Sequence, residues 1–175
     1  MKKFLSFIFE TAKVIVIALA IVVPIRYFLF QPFVVDGESM RPSFESGDYL
    51  IVDQISYRFR EPERGEVIVF RSPSNYSQRL IKRIIGLPGE QVEVNEGEVK
   101  IEGVLLEEDY LIELNTEGEI EILLGRDEYF VMGDNRNFSY DSRRFGLVEE
   151  RSITGRVVLR LFPFSSFSKI TLPSY

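Results

Sequence analysis

The feature that most constrains this chain is an apolar segment at its start. From Phe4 the sequence reads FLSFIFETAKVIVIALAIVVPIRYFLF, and the run from Val14 to Ile25 holds no charged side chain. Its 12 residues fall short of the roughly 20 that a helix needs to cross a bilayer, and extension to Phe30 gives 17. Arg26 would then lie near one end, where its stem lets the charge reach the headgroups. This pattern predicts a short cytoplasmic N-terminus over 1–11 and a transmembrane anchor over 12–30. No small-x-small cleavage site follows the run, which disfavours a removable secretion signal. A surface-lying or core helix is the other alternative. Lys2, Lys3 and Lys13 precede the run and only Arg26 follows it, so the positive-inside tendency predicts a cytoplasmic N-terminus and an external body.

The remainder of the 175 residues is long enough for one domain with a core of its own. The formal charge is -6; Lys2, Lys3, Lys13 and Arg26 against Glu10 make the first 30 residues +3, which leaves the body at -9. An acidic body argues against a nucleic-acid partner. The chain has no His and no Cys. That removes imidazole- and thiol-based triads, zinc sites built on these ligands, and disulfides. Any catalysis must run on hydroxyls, carboxylates, amines, guanidines or backbone N–H groups.

Beyond the anchor, DYLIVDQIS, GEVIVFRSP, QRLIKRIIGLPGE, QVEVNEGEVKIEG, YFVMGDN and GRVVLRLFPF carry β-branched and aromatic residues separated by Gly, Pro, Asn and Asp. They predict a mainly β domain over 31–175, with a smaller β extension around 89–125. VNEGEVKI reads as a hairpin turning at Asn95 to Gly97. The acidic stretch EEDYLIELNTEGEIEILLGRDEY reads as partly solvent-facing and says little about chemistry.

Three short stretches are candidates for chemistry. In DGESMRPSF, Ser39 sits in a Gly- and Pro-bounded loop, where a serine is ordinarily a turn residue; Met40 beside it is by default core filler. A serine nucleophile without histidine needs Lys, Asp or Glu as its base. QRLIKRII supplies a lysine: on a strand, period two puts Leu80, Lys82 and Ile84 on one face and Ile81 and Ile85 on the other, beside Arg79 and Arg83. Burial among apolar neighbours would lower the Lys82 pKa; the alternative is an edge lysine whose charge reaches water. In MGDNRNFSYDSRRFG, Asp134 or Asn135 can close an Asx-turn and Asp141 can pair with Arg143 or Arg144. An EF-hand loop starting at Asp134 fails, with Ser139 at the sixth position and Phe145 at the twelfth.

Taken together, the apolar start, SMRPSF, RLIKRIIGLPGE and GDNRNFSYDSRRFG resemble the bacterial type I signal peptidases, in particular their small single-anchor form, over nearly the whole chain. The resemblance implies a coiled antiparallel β catalytic domain, with Ser39 as nucleophile and Lys82 as general base. It also implies that Ser139 orients the lysine amine by a hydrogen bond and that Asp141 and Arg143 support the site as an acid–base pair. Asp134, Asn135 and Arg136 belong to the fold of the same loop, and Met40 follows the nucleophile. Some relatives carry a hydroxyl residue two places before the nucleophile as an oxyanion donor; here that position is Gly37, which leaves the Ser39 backbone N–H and the Gly37 region as candidates. The implied partners are signal peptides of secreted preproteins delivered by the secretion machinery, together with membrane lipid. The implied location is the bacterial cytoplasmic membrane, and no cofactor is implied. The competing readings are a self-cleaving repressor of related fold, which would need a DNA-binding domain, and a catalytically inert β scaffold.

Overall fold

The computed structural model describes residues 2–24, 30–111, 116–173 and 175. Among these, only one helix is long: α1, Lys2–Pro24. Its apolar stretch is broken by Glu10 and Lys13, and the unbroken part, Val14 to Val23, supplies about 15 Å of helix against a hydrocarbon layer of about 30 Å. No helix among the described residues is long and apolar enough to cross a membrane. This corrects the expected transmembrane anchor over 12–30, and with it the expected single-pass placement in the cytoplasmic membrane. The part of that segment from 25 to 29 lies outside the described residues.

The mainly β character of the body stands. Among the described residues, eight antiparallel strands form the larger sheet: β1 Phe30–Val34, β2 Tyr49–Asp53, β3 Val67–Arg71, β4 Arg79–Gly86, β9 Glu128–Met132, β10 Val148–Glu149, β11 Ile153–Phe162 and β12 Ser168–Lys169. Their spatial order is β1-β2-β11-β3-β4-β9-β10, with β12 added alongside β11. Register shifts in β11 opposite β2 and β3, and in β4 between Ile84 and Gly86, bend the sheet. The smaller sheet comprises β5 Gln91–Asn95, β6 Glu98–Ile101, β7 Val104–Leu105 and β8 Ile120–Leu123, in the order β7-β6-β5-β8. Asn95 pairs with Glu98, and Glu96 and Gly97 between them both have positive φ, which matches the right-handed twist of a two-residue hairpin.

Alternation decides which face each strand buries. In β3 every residue of VIVF is buried: Val67 and Val69 join a cluster with Val35, Met40, Phe44 and Leu50, while Ile68 and Phe70 join one with Ile84, Tyr129 and Val131. The interior of this sheet is therefore apolar on both faces, as a continuous β-branched run requires. A third cluster fills the space under the smaller sheet, where Val92, Val94 and Val99 meet Ile85, Phe130 and Met132. Met40 is fully buried in the first cluster, and its burial holds down the loop that presents Ser39.

Candidate active site

β4 lies between β3 and β9; the β9 ladder starts only at Arg83, so among the described residues Lys82 is strand-paired on the β3 side alone yet remains buried. Its neighbours on the same face, Leu80 and Ile84, pack in an apolar cluster with Ile68, the residue directly opposite Lys82 on β3. Only 2% of the lysine is exposed. From that position Lys82 Nζ reaches Ser39 Oγ at 2.7 Å and the Ile81 carbonyl at 2.8 Å. Burial lowers the amine pKa from 10.5 to about 8; Asp141 and Asp134 pull in the opposite direction but do not cancel it. About half of the amine is thus neutral near pH 8, with a lone pair able to accept the Ser39 proton.

Ser39 is half-buried in a turn entered through Gly37, whose φ of +97° is strained for any side chain. The turn is held from behind. The Arg41 N–H donates to the Glu38 carbonyl at 3.2 Å and the Phe44 N–H to the Met40 carbonyl at 2.9 Å. The Asn135 N–H donates to the Ser39 carbonyl at 3.0 Å, and Asn135 Nδ2 to the Glu38 carbonyl at 3.1 Å. The Ser39 N–H itself meets no acceptor among the described residues. Gly133 explains how the two loops come so close: a Cβ there would lie 2.4 Å from the Ser39 carbonyl oxygen and 2.3 Å from Ser139 Oγ.

Asp141 is wholly buried and caps the short helix α2, Ser142–Phe145. Its carboxylate accepts from Arg143 Nε at 2.8 Å, from the second Arg143 nitrogen at 2.9 Å and from the Gly133 N–H at 3.1 Å. Burial opposes its ionisation, yet the Arg143 guanidinium and these donors hold its pKa below the usual carboxylate range. Ser139 is buried beside this pair and favours the ionised carboxylate electrostatically, but its Oγ makes no hydrogen bond of acceptable geometry. The contact from Ser139 to the Lys82 amine that the resemblance implied is not formed here; Ser39 and Ile81 take the amine's hydrogen bonds.

Asp134 and Arg136 are buried in separate ion pairs. Asp134 receives Arg83 in a two-pronged contact at 2.8 and 2.6 Å, and that guanidinium lies 4.2 Å from the centre of the Tyr110 ring. Arg136 donates to Glu108 at 2.8 Å and to Thr116 at 2.8 Å. Arg83, Glu108 and Thr116 were not singled out by the sequence. The twofold alternation of β4 offered a signal for Arg83, since it places that arginine inside the sheet; Glu108, one acid in a run of them, carried none.

Beside the turn a groove of about 400 Å³ opens between Glu38, Arg41 and Glu45 and the Asn135–Phe138 loop. A larger groove of about 690 Å³, between Gly125–Glu128 and Glu149–Arg151, contains neither Ser39 nor Lys82 and has none of this chemistry. No group of His, Cys, Asp or Glu suited to a metal ion occurs among the described residues.

A serine hydroxyl in contact with a desolvated lysine, on a bent antiparallel sheet, defines the class: a serine peptidase that uses an amine in place of imidazole. Comparison with known proteins gives the family. Residues 8–162 match the family described as signal peptidase, peptidase S26. A probable signal peptidase I-2 from Synechocystis is 37% identical over 167 residues, spanning 93% of this chain and 77% of the relative. Signal peptidase I P of Bacillus subtilis subsp. natto is 37% identical over 175 residues and 94% of each chain. The crystal structure of a signal peptidase I from Enterococcus faecalis, 38% identical, matches with a TM-score of 0.51 over 55% of this chain and 97% of that one. The chain belongs to the signal peptidase family, peptidase S26, whose members cleave signal peptides with a serine–lysine dyad.

Proposed function

We propose that Ser39 is the nucleophile and Lys82 the general base of this serine endopeptidase, acting on signal peptides. The observation that carries the reading is the 2.7 Å contact between Ser39 Oγ and an amine held at about 8 by burial. Neutral Lys82 takes the Ser39 proton as Oγ adds to the scissile carbonyl carbon, and the Ser39 N–H receives the developing oxyanion. The lysine then gives its proton to the departing amine, leaving an acyl-enzyme. Water activated by the same amine releases the acyl group and restores the serine. Asp141 and Arg143 hold the Gly133 backbone against the Ser39 turn, which makes them positioning residues, as do Arg136 and Asp134 through their own pairs. Ser139 packs against Gly133 beside Asp141.

The β9 ladder on β4 begins at Arg83, so Arg79 to Lys82 have no strand partner on that side among the described residues. An extended preprotein segment adds here as a further strand, opposite the Val34–Asp36 approach to the nucleophile, with small side chains at the first and third positions before the cut. Val34, Tyr49, Phe162 and Phe164 form an exposed apolar surface, in which the rings of Tyr49, Phe162 and Phe164 touch edge to face. That surface suits contact with lipid and with preproteins lodged in it.

The test is cleavage of a preprotein carrying an alanine-x-alanine site by the purified chain, compared with Ser39→Ala and Lys82→Ala, the cut located by mass. Wild type cutting after the second alanine, with both folded variants inert, is the expected result. Undiminished cleavage by either variant would remove that residue from the proposed role.

A further inference from the structure

The oxyanion donor in the reading above is an N–H of the peptide joining Glu38 to Ser39. In a trans peptide the C=O and the N–H point in opposite directions, so whatever fixes the carbonyl also aims the N–H. That carbonyl accepts two hydrogen bonds: the Arg41 N–H at 3.2 Å, within the turn, and Asn135 Nδ2 at 3.1 Å, from the loop across it. The next carbonyl, that of Ser39, accepts the Asn135 N–H at 3.0 Å. One residue thus grips two consecutive peptides, one on each side of the nucleophile's Cα. Gly37 has no side chain to donate, and its own N–H is turned to Ser46 Oγ at 3.3 Å.

We infer that Asn135 is a positioning residue for the oxyanion donor, an inference that rests on Ser39 being the nucleophile. Its amide fixes the plane of the Glu38–Ser39 peptide and, by hydrogen-bonding the carbonyl, polarises the N–H at the other end of the same amide. The interaction gains value as charge develops on the substrate oxygen and is nearly idle in the ground state, so it serves turnover more than binding. Asn135 is half-buried and lines the groove beside the turn, and its backbone contact to Ser39 survives any change of side chain. Truncation therefore opens no sealed cavity.

The test uses the full chain, an alanine-x-alanine peptide substrate, the matching peptide aldehyde and the cleaved N-terminal product. The aldehyde reports on the oxyanion: Ser39 Oγ adds to its carbonyl carbon, the π pair moves to oxygen and the serine proton passes to Lys82. Asn135→Ala is expected to lower kcat by roughly 10- to 100-fold, with KM within about two-fold. It should weaken the aldehyde by a similar factor, leave product affinity unchanged, and leave the acidic limb of the rate profile where it was. Asn135→Asp keeps the shape but turns a second acceptor toward the Glu38 carbonyl; it is expected to be worse than alanine, and it carries the test should the alanine variant not fold. Unchanged kcat in a folded variant, or equal weakening of aldehyde and product, overturns the inference. Ser39→Ala in the same assay separates the two claims: if it remains active the nucleophile reading fails, and if it is inert while Asn135→Ala is fully active, only the role of Asn135 falls.

Discussion

At the scale of single residues, burial of Lys82 links the proposed general base to stability. Activity is expected to rise with pH as the amine loses its proton, with the acidic limb of kcat/KM centred near the value of about 8 set by burial; a limb below pH 6 would point to another group. The same depression carries a cost in the folded state. Between about 8 and 10.5 the unfolded chain holds the proton that the folded chain has released, so stability gains with rising pH across that window and the full penalty applies below it. At roughly 1.4 kcal/mol per pH unit the penalty is about 3 to 4 kcal/mol. Lys82→Met is therefore expected to be inactive yet more stable than wild type at pH 7, by an amount that shrinks toward pH 10.5, measured by urea unfolding at both pH values. Gly133→Ala works in the opposite direction: the added methyl meets the Ser39 carbonyl and Ser139 at distances no carbon tolerates. The turn must shift, and cleavage is expected to fall by about two orders of magnitude or more while the fold persists, checked by activity alongside circular dichroism.

At the scale of elements, two buried ion pairs set the position of the loop that follows β9. Arg83 on β4 holds Asp134, and Arg136 reaches across to Glu108 in the connection between β7 and β8. Glu108→Gln would leave a buried guanidinium without its charge partner, and is expected to destabilise the chain by about 3 to 5 kcal/mol in urea unfolding and to slow cleavage as the loop loosens. Replacing Glu108 and Arg136 together by apolar residues of similar volume should recover much of the stability and little of the activity. These elements also show what the sequence could and could not reveal. The period of two in RLIKRII located Lys82 among apolar neighbours on its face, and the two-residue separation of Asp141 and Arg143 made their pairing readable. The Arg136–Glu108 pair spans 28 residues through a run of interchangeable acids, and nothing local distinguishes Glu108 from Glu107. The apolar start misled in another way. Composition extended the run to Phe30, but α1 as described runs from Lys2 to Pro24, and Glu10 and Lys13 confine its apolar part to the stretch from Val14 onward.

At the scale of the whole molecule, ionisation bounds stability from both sides. Asp53, Glu66 and Asp141 all have folded pKa values below their ordinary ones, because their arginine, hydroxyl and backbone donors outweigh a burial that pulls upward. Their contribution is present above the usual carboxylate range and is lost as pH falls through the folded values. Tyr57, Tyr110, Tyr129 and Tyr175 have values raised mainly by burial, so the folded chain resists their ionisation and loses stability above about pH 10. The wild-type melting temperature is expected to climb from acid, gain further above pH 8 as Lys82 discharges, and decline beyond pH 10; a maximum at pH 5 to 6 would contradict the assignment of the buried amine. Among the described residues the buried carboxylates of Asp48, Asp53, Glu66, Glu108, Asp134 and Asp141 are each met by an arginine of the same chain. One of those internal pairs has a consequence for inheritance. Because Arg136 of the loop after β9 finds its carboxylate, Glu108, between two strands of the smaller sheet, that sheet cannot be exchanged among homologues as an independent cassette. A chimera would work only where the incoming segment brings its own acid to the same place, so the two sheets are constrained to diverge as one unit.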